Sequence, residues 1–117
     1  MVAALRRSSV PPAVGRESGG RVTKDETLRQ RSIVRYYRKA GCVVYILSQP
    51  RMTKQTSGLP DLWVFHPSTN RGWWFETKTP EGTLSDAQRT FAELCRNTGI
   101  KHSYGGIMEA SKILEDR

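Results

Sequence analysis

The chain has 117 residues, with 19 Lys and Arg against 11 Asp and Glu and a formal charge of +8 at pH 7. A stretch of this length builds one domain with a real core, but not two. No apolar run approaches the ~20 residues of a membrane span, and the positive balance suits a polyanionic partner through phosphate neutralisation and counterion release.

Residues 1–22 mix Pro, Gly, Ser and Arg without apolar periodicity and are expected to form a flexible basic arm. They lack the continuous apolar segment of a secretory signal. Pro11-Pro12 and Gly19-Gly20 interrupt the helix that an organellar transit peptide needs. A single domain is expected over residues 23–117. Thr23 as N-cap with Glu26 at the third helical position fits a capping box and predicts a helix to Ala40, just before Gly41. At 100° per residue, Glu26, Gln30, Ile33, Val34 and Tyr37 share one stripe, while Arg31, Arg35, Arg38 and Lys39 lie opposite. The stripe faces the fold. The basic side meets solvent or nucleic acid, with Arg35 and Lys39 as candidate contacts.

Residues 42–47, rich in β-branched side chains, predict a strand. The polar stretch 49–58 is a loop, whose Arg51 and Lys54 are suited to gripping phosphates ahead of Asp61. Residues 61–66 predict a second strand, 67–72 a hairpin connection and 73–79 a third strand, ended by Pro80-Glu81-Gly82. Ser85 starts a second helix, with Ala87, Phe91, Leu94, Cys95 and Thr98 at helical spacing and Gly99 as its C-terminal cap. Residues 101–104 predict a short fourth strand and 107–114 a last helix. The order αβββαβα is that of a small α/β domain around a mixed sheet. Cys42 and Cys95 have no metal-ligand spacing and read as reduced core thiols in a cytosolic setting. His66 and His102 lack companions at zinc spacing and read as solvent-facing.

The most telling residues are Glu76-Thr77-Lys78, fifteen positions after Pro60-Asp61. Acid and lysine two apart in a strand project from one face, and Asp61 of the neighbouring strand can converge on them. Asp61 and Glu76 are hard oxygen ligands for Mg²⁺ or Mn²⁺, and the Thr77 carbonyl could supply another. Lys78 can orient or deprotonate water and counter a developing oxyanion. The bland alternatives are a turn aspartate and an exposed charge pair. Against them, both carboxylates interrupt apolar strands, Leu62-Trp63-Val64-Phe65 and Trp73-Trp74-Phe75, where desolvation is costly without a cation. Glu26 reads either as a helix cap or as a further metal carboxylate. Gln88, third in a Ser85 capping box, reads equally as a cap or as a side chain aimed at Glu76 and Lys78. Trp73 and Trp74 must face opposite sides of their strand, with Trp74 on the side of Glu76 and Lys78.

Glu26-x-x-x-Gln30, Gly58-Leu59-Pro60-Asp61, Phe75-Glu76-Thr77-Lys78-Thr79-Pro80 and Leu84-Ser85-x-x-Gln88 together resemble the virus-type replication-repair nuclease (VRR-NUC) domain. This is a branch of the PD-(D/E)xK nucleases with the restriction-endonuclease-like fold, and the resemblance runs over residues 25–114. It implies that Glu26, Asp61 and Glu76 bind metal, that Lys78 is the catalytic lysine and that Gln88 is an active-site glutamine. Thr77 stands where the family more often has an aliphatic residue. The resemblance further implies a stand-alone enzyme of a bacterium or a phage-infected host cytoplasm. Such an enzyme would use Mg²⁺ or Mn²⁺ to cut branched DNA such as Holliday junctions as a homodimer, with Trp73, Tyr36 and Ile46 as candidate interface residues. The alternatives are a nickase or less selective duplex or flap endonuclease, a non-catalytic DNA-binding module, and a basic scaffold protein.

Overall fold

The computed structural model describes residues 24–48 and 57–116; the expected basic arm, the Thr23 cap, Arg51 and Lys54 lie outside them. Helix α1 (Lys24–Lys39) begins with Asp25 and Glu26 and ends with Arg38 and Lys39, a charge order that complements the helix dipole. Strands β1 (Val43–Ile46), β2 (Leu62–His66) and β3 (Arg71–Thr77) follow, then helix α2 (Asp86–Thr98), strand β4 (His102–Gly105) and helix α3 (Ile107–Glu115). The sheet order is β1-β2-β3-β4. The first two pairings are antiparallel and the last is parallel. A parallel neighbour needs a crossover connection, and α2 provides it.

The alternation of β3 divides the molecule. Trp73 and Phe75 point to one face, where they meet Ile33, Val34 and Tyr37 from α1 and Ala110 from α3 in the core. Tyr37 anchors this layer. Its hydroxyl donates to the Ala110 carbonyl at 2.9 Å and accepts from Trp73 Nε1 at 3.2 Å. Burial drives its phenol far above the usual tyrosine range. Trp74 points to the other face and meets Phe91 of α2 edge-on, with ring centroids 5.4 Å apart.

Some boundaries and environments differ from the sequence expectation. Strand β3 starts at Arg71, two residues early, because a 3₁₀ turn over Pro67–Thr69 and Asn70 in the left-handed region (φ 55) complete the reversal sooner. It ends at Thr77, so Lys78 lies just beyond the strand, yet its N–H still donates to the Gly105 carbonyl at 3.0 Å. Leu94, expected on the buried stripe of α2, is exposed, while Cys95 beside it is buried. Trp73 is sealed in the core and cannot serve an interface with another chain. The histidines are not solvent-facing: both are half-buried. His66 contacts Thr69 Oγ1 and the Ala40 carbonyl through its ring nitrogens. His102 packs against Phe91, and burial lowers its pKa. Cys42 and Cys95 are buried free thiols, as expected.

Candidate active site

The β2–β3 register sets the site. Leu62 pairs with Phe75, so Asp61 and Glu76, each one step further, come side by side at the end of the two strands. The Thr77 N–H donates to Asp61 Oδ2 at 3.0 Å, which locks the aspartate against the third strand. Glu76 is only 5% exposed, and its Oε1 has no hydrogen-bond partner. Lys78 Nζ stands 4.0 Å from Glu76 Oε2, its side chain 15% exposed. The Thr77 side chain turns to the opposite face from Glu76, so only its backbone is available to the site.

Gln88 resolves the choice left open by its sequence context, because it serves both purposes. Its Oε1 accepts from the Ser85 N–H at 2.8 Å, while its own N–H donates to Ser85 Oγ at 3.1 Å, which completes the capping box of α2. Its Nε2 donates to Glu76 Oε2 at 2.8 Å. One amide therefore fastens the start of α2 to the acidic centre. A second fastening is Gly58, in the left-handed region at φ 87, where it lies directly against the Ala87 carbonyl. A Cβ there would come within 2.5 Å of that oxygen.

The electrostatics are those of a centre short of positive charge. Burial first, then the Lys78 and backbone contacts acting against it, leaves Asp61 above the usual carboxylate range. Glu76 is raised further, by burial and then by the negative charge of Asp61, with Lys78 offsetting part of the rise. Glu26 adds negative field to both from α1. Among the described residues, no three acidic, His or Cys groups are close enough to form a preassembled ligand set. Mg²⁺ commonly takes one or two carboxylates and keeps several waters. A buried glutamate with an unpartnered oxygen next to a half-buried aspartate fits such an ion.

A groove of about 1060 Å³ opens beside Lys78 between α2, β4 and the start of α3, lined by Arg29, Arg96, Lys101, Tyr104 and Glu109 among others. Sequence reasoning missed these cations. Nothing in the spacing of Arg29, Arg96 and Lys101 connects them; only the crossover to β4 gathers them next to the acids. Arg35 and Lys39 line a different groove, with Arg31, Arg38 and Ile46, which shares no residue with the first.

The VRR-NUC domain family model matches residues 18–104. The chain belongs to the VRR-NUC family. A solved structure described as a "VRR_NUC domain" is similar in fold, with a TM-score of 0.64 and 23% sequence identity over 80% of this chain and 97% of the other. No curated protein matches. Membership makes the chain a nuclease domain, a hydrolase whose family generally depends on a divalent metal and whose substrate is DNA. The mixed four-stranded sheet with flanking helices accords with the restriction-endonuclease-like fold. No helix among the described residues is long and apolar enough to cross a membrane.

Proposed function

We propose that this VRR-NUC domain is a Mg²⁺- or Mn²⁺-dependent, structure-selective DNA endonuclease that hydrolyses phosphodiester bonds in branched DNA such as Holliday junctions, working as a homodimer. The observation that carries the reading is a buried glutamate with an unpartnered oxygen next to a half-buried aspartate, beside a lysine and a helix-bound glutamine. Asp61, Glu76 and the Thr77 carbonyl would hold the ion, with Glu26 contributing from α1. A divalent cation bound there supplies charge neutralisation at the scissile phosphate and a water of lowered pKa.

The chain's own groups do the remaining work. Lys78 orients the attacking water, takes up or relays its proton, and stabilises the negative charge that builds on the phosphoryl oxygens. Gln88 fixes the Glu76 carboxylate through its amide, so one oxygen is directed while the other stays available. Arg29, Arg96 and Lys101 give the neighbouring groove the cations that a DNA backbone requires. Arg35, Lys39, Arg51 and Lys54 are further backbone contacts, which add affinity without sequence preference. Met108, 68% exposed at the groove rim with Tyr104, Ile107 and Ile100 also exposed, offers the apolar area that a dimer would cover. A two-fold pair of sites suits paired cuts across a four-way junction.

The deciding experiment is cleavage of labelled junctions, flaps, nicked and intact duplexes with Mg²⁺, Mn²⁺ or chelator, using wild type and Asp61→Ala, with sedimentation to give the oligomeric state. Metal-dependent cutting of junctions by a dimer, lost in Asp61→Ala, is expected. Exclusive nicking of linear duplex would reject the junction assignment, and cutting by Asp61→Ala at the wild-type rate would reject the site.

A further inference from the structure

The sheet face that carries the acids carries a second row of side chains. Cross-strand register aligns Tyr45 with Trp63, Trp63 with Trp74, and Trp74 with His102. Asp61 and Glu76 stand two residues along from Trp63 and Trp74, so strand alternation puts both rows on the same face, about 7 Å apart. That is roughly the reach of one nucleotide in an unstacked strand. At one end the aromatic row is closed, because Phe91 of α2 covers Trp74 and His102.

The other end is open. Trp63 leans on Trp74 with centroids 4.9 Å apart, and it is seated over Gly72, where a Cβ would come 2.9 Å from the indole. It is thereby fixed in place. Beyond it, on the terminal strand β1, Tyr45 is 57% exposed and Val43 42% exposed. The same strand borders the basic groove through Ile46, with Arg31, Arg35, Arg38 and Lys39. An aromatic step, rigid on its inner side and exposed on its outer side, thus stands beside the acidic centre at the β1 edge, with the row of cations around that edge on the opposite sheet face, where Ile46 points. Rings beside cations are the means by which proteins hold single-stranded nucleic acid, and a base buried in duplex cannot reach such a step.

We propose that Tyr45 and Trp63 stack an unpaired nucleobase next to the phosphodiester held at Asp61 and Glu76, so that the domain selects DNA with unpaired or splayed nucleotides at the cut. The inference rests on the nuclease reading above and gives it a structural basis for choosing substrates.

The test measures affinity by fluorescence anisotropy, with Ca²⁺ in place of Mg²⁺, for a duplex with a short single-stranded gap and for the same duplex fully paired. A 2-aminopurine in the gap reports stacking. Wild type, Tyr45→Ala and Tyr45→Phe are compared, and melting curves confirm that each is folded. Wild type should prefer the gap and quench the 2-aminopurine. Tyr45→Ala should lose roughly tenfold of that preference together with the quenching, and Tyr45→Phe, which keeps the ring, should retain both. Equal gap-over-duplex preference in wild type and Tyr45→Ala overturns the proposal. So does a Tyr45→Ala protein that turns monomeric while its preference persists, since the face would then belong to a second copy of the chain. The nuclease reading fails separately. Ring-dependent quenching with no cleavage in Mg²⁺ or Mn²⁺ supports stacking and sinks the nuclease, whereas metal-dependent cleavage with no ring dependence does the reverse.

Discussion

Gly58→Ala tests how the candidate active site is held together, because this glycine is the point at which the chain entering Asp61 touches the helix carrying Gln88. Two costs add. An alanine at φ 87 pays the left-handed penalty of about 1–2 kcal/mol. Its Cβ would also stand 2.5 Å from the Ala87 carbonyl oxygen and 2.8 Å from the carbonyl carbon, both backbone atoms that cannot rotate away. Relieving such a contact costs about 1–3 kcal/mol. Gly41 is the internal control: its φ is 93, but an added Cβ meets nothing within 4 Å. Gly41→Ala should therefore show the conformational cost alone. For a domain of this size each kcal/mol lowers the melting temperature by about 4–8 °C. Gly58→Ala should melt about 4–24 °C below Gly41→Ala in thermal unfolding followed by circular dichroism. It should also cut DNA more slowly at temperatures where it is still folded, since a displaced Ala87 draws Gln88 away from its 2.8 Å bond to Glu76. Equal melting of the two variants would mean that the Gly58–Ala87 contact is loose and does not fix α2.

The same geometry sets three further outcomes. Asp61 and Glu76 hold protons in the folded state that the unfolded chain releases, so their contribution to metal-free stability is full below the ordinary carboxylate range. It is lost as pH rises through that range towards about 8 for Glu76; in chelator the melting temperature should fall over this window, and Glu76→Gln should flatten the slope. Lys78→Met should abolish measurable cleavage in a single-turnover assay while calorimetry still detects Mn²⁺ binding, because in the proposed mechanism the lysine acts on water and phosphate and is not a ligand; an active Lys78→Met would remove it from that mechanism. Tyr37→Phe deletes the hydroxyl that joins Trp73 Nε1 to the Ala110 carbonyl and leaves both without this buried partner, which should cost about 1–3 kcal/mol in denaturant unfolding. An unchanged midpoint would show that these groups find other partners.

The sequence made the acids legible because Asp61 and Glu76 break otherwise apolar strands, a placement whose desolvation cost calls for a cation. The element order was legible from period and punctuation: Gly99 at the end of α2 and the Ser85 capping box are local signals that tertiary packing left intact. The true start of strand β3 is hidden in the sequence because Trp73 and Trp74 dominate the apolar signal, while Arg71 and Gly72 carry none. Arg71 belongs to the strand for reasons remote in sequence: its guanidinium donates to the Leu114 and Asp116 carbonyls at 2.6 Å and lies over the Trp73 ring. Leu94 matched the helical stripe yet is exposed, since a period gives direction without saying how far the covered surface extends. The two uses of Gln88 were each visible, but their coexistence depends on where α2 starts relative to β3, which no local rule fixes. The basic groove was invisible for the same reason: Arg29, Arg96 and Lys101 meet only through the parallel crossover.

The proposed reaction requires Asp61 and Glu76 to bind jointly a divalent cation on which DNA cleavage depends. Calorimetric titration of Mn²⁺ into wild type and Asp61→Asn at pH 8.5 tests it most directly, because both carboxyls ionise more fully there. A saturable site in wild type that disappears in Asp61→Asn is the predicted result. Indistinguishable isotherms for the two proteins would mean that the two carboxylates share no bound ion.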